Sequence, residues 1–216
     1  KTQFSKAIIA DICIFPPSCW GINDINKISA VFFGKNCMDS EGCYSVPPYC
    51  SGDRCSNRKE FWVQLRTHDI ISLDAHGSPY GFAASTNDGW YHILQSSDLY
   101  SNPFSTNPIF ATMACHSGTI DCEEGQCISK QGSVFSFMNS GAVIYLGSTR
   151  YGYGGITAEL IEGVFENVKR RQRIGDAHLN MKREFLKNSQ SDFENAVIYE
   201  FALYGDPTLA ISMSGE

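Results

Sequence analysis

The sequence lacks an excess of positive charge. Its 216 residues include 17 lysines and arginines against 23 aspartates and glutamates, so the formal net charge is −6 at pH 7. A protein that binds nucleic acid normally carries a basic surface that neutralises phosphates. We therefore expect no nucleic-acid partner.

Long apolar runs are also lacking, although 43% of the residues are hydrophobic. No run approaches the roughly 20 residues that cross a bilayer, so we expect no membrane span. Residues 1–5 lack the apolar centre of a secretion signal, and we expect any signal or pro-segment of the full gene product to have been removed. There is no internal repeat or low-complexity tract. A chain of this length can bury its apolar surface as a single domain over residues 1–216.

Cysteine, in contrast, is abundant. The chain has nine cysteines, and seven of them lie outside the predicted strand cores: Cys19, Cys37, Cys43, Cys50, Cys55, Cys122 and Cys127. Loop cysteines at this density are typical of an oxidising compartment, so we expect disulfide bonds and a secreted or otherwise extracytoplasmic protein. Because the number is odd, one thiol stays free or pairs between chains, and Cys115 is the candidate. A Cys122–Cys127 bridge would stiffen the segment after Cys115, and the other pairings are open.

Four of these cysteines belong to residues 34–57, a stretch rich in Cys, Pro, Gly, Ser and Asp with almost no apolar periodicity. This composition is typical of a disulfide-stapled surface loop or an insertion. Structural zinc is the competing explanation, but zinc sites favour about two to four residues between paired cysteines. The gaps in this stretch are five, six and four residues. We therefore expect no zinc site and assign no metal ligands.

Two short apolar runs each stop at a reactive side chain. One covers residues 69–75 and leads into His76 and Gly77, and the other covers residues 108–114 and leads into Cys115. Both are typical of buried parallel strands, whose carboxyl ends meet at the sheet edge where open α/β folds place their chemistry. A thiolate is a nucleophile and a nearby imidazole can exchange its proton. Cys115 and His76 therefore form a candidate catalytic dyad.

Strands and helices alternate along the rest of the chain. We predict strands at residues 7–15, 28–33 and 142–146, and helices at 58–67, about 134–139 and 156–171. A further helix is predicted from Asp176, after a break at Gly175. This alternation predicts an α/β layer fold.

Five motifs then follow one another in order. They are Asp-Ala-His-Gly-Ser at 74–78, Ala-Cys-His-Ser-Gly at 114–118, Gly-Ala-Val-Ile-Tyr-Leu-Gly-Ser-Thr-Arg at 141–150, Ile-Gly-Asp-Ala at 174–177 and Leu-Tyr-Gly-Asp-Pro-Thr-Leu at 203–209. In these motifs, over about residues 58–212, the sequence resembles the caspase-like clan of cysteine peptidases (clan CD), and most closely the gingipain-type family C25. The resemblance implies a single caspase-like peptidase domain. It also implies a three-layer α/β/α sandwich with a mostly parallel central sheet.

The resemblance further implies a cysteine endopeptidase that acts on protein or peptide substrates. Cys115 would attack the peptide carbonyl as a thiolate, and His76 would act as acid and base. The oxyanion hole would consist of the backbone N–H groups of Gly77 and Cys115, since a glycine lets the substrate approach closely. An acidic residue orients the imidazole in such sites, and Asp74 is the candidate because it precedes His76 by two residues on the same strand face. No metal or organic cofactor is required.

Several alternatives stay open. His116 adjoins the thiol, but on an extended segment it would point to the opposite face, so we place it behind His76 as the base. The acidic loop of Asp121, Glu123 and Glu124 could hold calcium. The net acidity favours a basic residue before the scissile bond, as in gingipains, and an asparagine preference, as in legumain-like enzymes, is the rival. A binding or scaffold module that kept the fold and lost activity is the alternative function, and the oligomeric state is open.

Overall fold

The computed structural model describes residues 2–4, 7–11, 28, 31, 43–45, 58–86, 89–123, 126–127 and 132–213. In chain order, its strands are β1 (Thr2–Phe4), β2 (Ala7–Asp11), β3 (Cys43–Ser45), β4 (Ile70–Asp74), β5 (His76–Ser78), β6 (Gly81–Thr86), β7 (Gly89–Gln95), β8 (Ile109–Thr112), β9 (Cys122–Glu123), β10 (Gln126–Cys127), β11 (Ile144–Ser148), β12 (Phe201–Gly205) and β13 (Ile211–Met213). Its helices are α1 (Arg58–Thr67), α2 (Ser96–Ser101), α3 (Ser133–Asn139), α4 (Gly154–Lys169), α5 (Ile174–Asn188) and α6 (Asp192–Glu200). Residues 28 and 31 are also helical.

Six of these strands form the central sheet, in the order β12, β11, β8, β4, β2 and β3. Strand β12 runs antiparallel to β11, and the other neighbouring pairs are parallel. The register aligns Leu73 of β4 with Thr112 of β8, so these two central strands end side by side. The mostly parallel sheet confirms the predicted α/β fold class.

The two faces of the central sheet are covered by two different cores. One face packs on α4, α5 and α6 through mainly aliphatic side chains such as Leu160 and Val197. The other face packs on α1, α2 and α3 and is richer in aromatic rings, including Phe61, Phe110 and Phe137. Because both faces are covered, every residue of β4, β8 and β11 is buried, which explains why these strands are mostly apolar and do not alternate regularly between apolar and polar residues. The result is the predicted three-layer α/β/α arrangement.

Most predicted elements are present. Helix α1 has the predicted bounds, and α4 begins and ends two residues earlier than predicted. The strand predicted at residues 28–33 is wrong, because Ile28 and Val31 are helical. Their spacing of three residues places both side chains on one helix face, and both are buried in the aliphatic core. A short apolar run does not by itself distinguish a strand from a buried helical turn.

The predicted break between α4 and α5 is present, but it lies at residues 170–173 rather than at Gly175. Helix α5 begins at Ile174, so Gly175 lies in its first turn. The Gly175 amide donates a hydrogen bond to the carbonyl oxygen of Pro207 at 2.9 Å, and a Cβ on Gly175 would lie 2.6 Å from the Cβ of Pro207. This glycine therefore allows α5 to pack closely on the segment after β12.

Some predictions fall outside the described residues. Within the cysteine-rich stretch 34–57 the structure describes β3 alone, which pairs with β2. The hairpin of β9 and β10 sets Cys122 opposite Cys127, but the side chains of both lie outside the described part, and so the disulfide bonds stay predictions. None of the described helices is long and apolar enough to cross a membrane.

Candidate active site

The carboxyl ends of β4 and β8 meet at one edge of the central sheet. After β4 the chain passes through Ala75 into β5, which leaves the central sheet and pairs with β6. Strands β5, β6 and β7 form a separate antiparallel sheet, which we call the histidine sheet because it begins at His76. After β8 the chain enters a turn at residues 115–118, which we call the cysteine turn. The two reactive residues therefore follow neighbouring strand ends, as the sequence pattern predicted.

His76, Gly77 and Cys115 line a single cleft of about 380 Å³. The His76 and Cys115 side chains are half-buried, and Cys115 has a free thiol. The remaining lining residues are Ser78, Gly81, Ala83, Trp90, His92, His116 and Tyr151. The histidine sheet thus forms one wall of the cleft, and the cysteine turn with the segment after β11 forms the other.

Core side chains hold the cysteine turn from beneath. The Ser117 hydroxyl donates a hydrogen bond to the carbonyl oxygen of Ala114 at 2.8 Å. The Tyr145 hydroxyl donates to the carbonyl oxygen of Ser117 at 2.9 Å, and the Tyr204 hydroxyl donates to that of Gly118. Sequence reasoning missed both tyrosines, because an aromatic residue within an apolar run indicates core packing.

Tyrosine hydroxyls are protonated at neutral pH, and burial favours that state further at both positions. Burial raises the pKa of Tyr145 well above its ordinary value, and the hydrogen bond to Ser117 opposes that rise only in part. Burial also raises the pKa of Tyr204 to about 12, and the negative charge of Asp121 adds to the effect. Because a protonated phenol remains a donor, both side chains hold the turn throughout the neutral pH range.

The thiol of Cys115 donates a hydrogen bond to the carbonyl oxygen of Gly152, with an Sγ to O distance of 3.3 Å. Gly152 is packed so closely against the carbonyl group of Met113 that a Cβ would overlap it. This hydrogen bond suits a protonated thiol, since a thiolate has no proton to donate. Gly152 therefore supplies a hydrogen-bond acceptor for the Cys115 thiol.

Gly77 packs directly on the cysteine turn. A Cβ at this position would overlap the carbonyl oxygen of Cys115 and would lie 2.6 Å from the Cβ of Ala114. No side chain fits between the two segments, so only glycine lets β5 approach the Cys115 backbone this closely.

An exposed tryptophan flanks His76. The ring centroids of His76 and Trp90 are 5.0 Å apart, and the ring planes are nearly perpendicular at 84°. Trp90 lies in β7 and is 62% exposed, yet it lines the same cleft as the imidazole. The indole therefore borders both the candidate acid–base group and the open part of the cleft.

The structure changes the reason for placing His116 behind His76. Residues 115–118 form a turn, and His116 has a positive φ of 55°, so the alternation of an extended segment does not apply. His116 lines the same cleft as Cys115, and its ring packs at 74° to that of Tyr151, with centroids 4.8 Å apart. Three histidines, His76, His92 and His116, therefore line the cleft that contains the Cys115 thiol.

Asp74 is the last residue of β4 and is buried, with 1% of its surface exposed. The sheet register aligns it with Asp11 of β2. Asp74 is not one of the described residues that line the cleft. Its role in orienting His76 stays a prediction.

An ion pair joins the segment after the cysteine turn to the segment after β11. The Arg150 guanidinium donates to both carboxylate oxygens of Asp121, at 3.1 and 2.9 Å. These hydrogen bonds hold the pKa of the Asp121 carboxyl below its ordinary value. Across the described part of the chain, no group of three or more His, Cys, Asp or Glu side chains could hold a metal ion.

Comparison with solved structures defines the class of fold. The chain is similar to the Arg-specific cysteine proteinase gingipain R, with a TM-score of 0.63 and 15% identity, covering 95% of this chain and 47% of that one. It is similar to the complex of RgpB pro- and mature domains from Porphyromonas gingivalis (TM-score 0.62, 15% identity, 94% and 48% covered). It is also similar to the Saccharomyces cerevisiae separase–securin complex (TM-score 0.60, 10% identity, 99% and 13% covered). Because the sequence identities are 15% or lower, these similarities establish only the fold, which is caspase-like.

The chain belongs to peptidase family C25, whose family model matches residues 61–212. This is a family of cysteine peptidases, and the match confirms the gingipain-type resemblance of the sequence. The chain spans about half the length of the gingipain chains and about an eighth of the separase chain. No curated protein sequence matches it.

Proposed function

We propose that the protein is a cysteine endopeptidase in which Cys115 is the nucleophile and His76 is the acid and base. The observation that carries this proposal is the single cleft at the carboxyl edge of the sheet, which both side chains line. A free, half-buried thiol beside an imidazole is the arrangement that covalent peptide hydrolysis needs.

In the first step the proton of the Cys115 thiol passes to His76, and the sulfur attacks the carbonyl carbon of the peptide. When the C–N bond breaks, His76 gives its proton to the leaving amine, and a thioester to Cys115 remains. In the second step a water molecule gives a proton to His76 and attacks the thioester. The carboxylic acid then leaves, and the thiol is restored.

The backbone N–H groups of Gly77 and Cys115 would stabilise the negative oxygen of the tetrahedral intermediate. The close packing of Gly77 on the cysteine turn supports this assignment, because it brings the two peptide groups together. Within the described residues the Cys115 amide donates no hydrogen bond, so its proton is available to a substrate oxygen. Asp74 would orient the imidazole, and the chemistry requires no metal or organic cofactor.

We propose a basic residue before the scissile bond. The net charge of −6 favours a cationic substrate, and gingipain R, which has the same fold, is Arg-specific. We also propose that the protein acts outside the cytoplasm, since its nine cysteines suit an oxidising compartment. Calcium at the acidic loop stays a separate proposal, although the carboxylate of Asp121 is already occupied by Arg150.

Labelling and turnover together test the dyad. The protein is treated with iodoacetamide without reductant, the labelled cysteine is mapped by mass spectrometry, and cleavage of a mixed peptide library is measured. We expect labelling at Cys115, and loss of turnover in Cys115→Ala and His76→Ala. Tyr199→Ala is the control, because Tyr199 is 67% exposed on α6.

His116→Ala distinguishes the role of His116 from that of His76, since both line the cleft together with Cys115. Turnover that survives in His116→Ala and disappears in His76→Ala supports His76 as the acid and base. The opposite result would assign that role to His116. Full turnover by Cys115→Ala, or no turnover by the unmodified protein, would contradict the peptidase proposal and favour a binding module with the same fold.

A further inference from the structure

Four aromatic rings form a continuous surface that begins beside Cys115 and leads away from the cleft. We call it the aromatic strip, and it consists of His116, Tyr151, Tyr153 and Phe193. Neighbouring ring centroids are 4.8, 6.4 and 4.4 Å apart along the strip. Tyr151, Tyr153 and Phe193 are 59%, 41% and 48% exposed, respectively. Large aromatic side chains that are exposed together, rather than singly, mark a binding surface.

The backbone presents these rings in a fixed arrangement. The Tyr153 amide donates to the Thr157 hydroxyl at 3.0 Å, and the Thr157 amide donates to the Tyr153 carbonyl at 2.8 Å. Phe193 lies in the first turn of α6, where the Ser191 hydroxyl caps the helix by accepting from the Glu194 amide. A surface that is already ordered loses little conformational entropy when a ligand binds.

The order of the strands decides which part of a substrate reaches the strip. His76 follows β4, on one side of β8, while Tyr151 and Tyr153 follow β11, on the other side. The leaving amine must lie next to its proton donor, so the part of the substrate after the scissile bond lies on the His76 side. The part before the scissile bond therefore extends towards the aromatic strip.

We infer that the aromatic strip binds apolar and aromatic side chains of the substrate at positions about two to four residues before the scissile bond. The inference rests on the proposed peptidase function, because Tyr151 lines the same cleft as Cys115. An extended peptide advances about 3.3 Å per residue, so a strip of four rings matches a short segment of substrate. Aromatic rings in edge-to-face contact add to the binding of such side chains.

The test compares short and long fluorogenic peptides that share the preferred residue before the scissile bond. One long peptide carries phenylalanine at the third and fourth positions before that bond, and its control carries glycine there. We expect kcat/KM to be about tenfold higher for the phenylalanine peptide. In the double variant Tyr153→Ala with Phe193→Ala this advantage disappears, and kcat/KM for the short peptide is unchanged.

Two further variants serve as controls. Tyr199→Ala removes a more exposed aromatic ring from the same helix as Phe193, and the phenylalanine advantage should persist. Replacing Tyr153 and Phe193 by leucine should restore much of the advantage, because the surface stays apolar. An advantage that persists in the double alanine variant, or an equal loss for short and long peptides, would overturn the inference.

Binding without turnover keeps this inference separate from the proposed function. The labelled phenylalanine peptide is titrated into Cys115→Ala, and fluorescence anisotropy is recorded with and without Tyr153→Ala and Phe193→Ala. Binding that depends on these rings, together with no cleavage of either peptide by the unmodified protein, would support the strip and contradict the peptidase. A second outcome is that both long peptides are cleaved with the same kcat/KM and that peptide binding does not depend on the rings. This outcome would overturn the inference about the strip but would remain consistent with the proposed peptidase function.

Discussion

The cysteine turn and the histidine sheet form opposite walls of one cleft, but they are held in different ways. The buried Tyr145 and the partly buried Tyr204 hold the cysteine turn, since both donate hydrogen bonds to its carbonyl oxygens. The imidazole of His76 instead packs against Trp90, which is 62% exposed. Changes beneath the turn should therefore alter both stability and activity, whereas changes around the imidazole should alter activity alone.

The largest effect is expected where the two walls touch. In Gly77→Ala the new methyl group would overlap the Cys115 carbonyl oxygen and push the histidine sheet away from the cysteine turn. Displacements of about 1 Å in an active site cost roughly a hundredfold in rate, so we expect kcat/KM to fall by about that factor. The measurement is peptide turnover together with the thermal unfolding temperature.

Gly155→Ala is the matched control for this prediction. A Cβ at Gly155 meets nothing within 4 Å, and the residue lies in the first turn of α4. The peptidase activity of Gly155→Ala should equal that of the unmodified protein. If Gly77→Ala retained full activity, the two walls would not need their observed close contact.

The next effect concerns the support of the cysteine turn. Tyr145→Phe leaves the carbonyl oxygen of Ser117 without its buried donor, which should lower the free energy of unfolding by about 2 kcal/mol. Activity should fall as well, because the turn loses a point of attachment. Urea denaturation and peptide turnover measure the two changes.

Tyr199→Phe provides the comparison, since its exposed hydroxyl can exchange hydrogen bonds with water and its loss should leave stability unchanged. A loss of activity in Tyr145→Phe at full stability would mean that the turn is not held as a part of the folded core.

A smaller effect is expected at the histidine sheet. Trp90→Ala removes the ring beside His76, so the imidazole can leave its productive orientation, and kcat should fall about tenfold while the unfolding temperature is unchanged. Trp90→Phe should recover much of the loss, because a ring still borders the imidazole. Loss of stability in Trp90→Ala would contradict the proposed difference between the two walls.

The smallest effect is expected from the ion pair of Asp121 with Arg150. Both side chains are partly or largely exposed, and exposed pairs contribute little, so Asp121→Asn should change kcat/KM by less than about twofold. Added salt should reduce the difference in kcat/KM between Asp121→Asn and the unmodified protein further, because salt screens exposed charges. A loss as large as that of Tyr145→Phe would place this pair among the essential supports of the cysteine turn.

Much of the fold was predictable because its signals are local. Strands β4 and β8 are mostly apolar and are covered on both faces, and α1 has the apolar spacing of an amphipathic helix. The prediction failed at Ile28 and Val31, where a few apolar residues fit either a strand or one face of a helix. Packing against the aliphatic core decides between the two.

The candidate site was predictable only in part, for a related reason. His76 and Cys115 each end an apolar run, so their pattern can be detected locally. His116 was judged by the geometry of an extended strand, although the chain turns at that point. Trp90 and Tyr151 carry no local signal, because their place in the cleft depends on how separate strands pack.

The sequence by itself determined the layer fold, the family motifs and the two candidate residues of the dyad, because apolar runs and the residues that end them are properties of neighbouring positions. Only the tertiary structure decided what holds and surrounds those residues. Tyr145 reaches a carbonyl 28 positions away, and Tyr204 reaches one 86 positions away. Phe193 joins Tyr153 through the packing of α6. Contacts across such separations form only when the chain folds, so no local pattern records them.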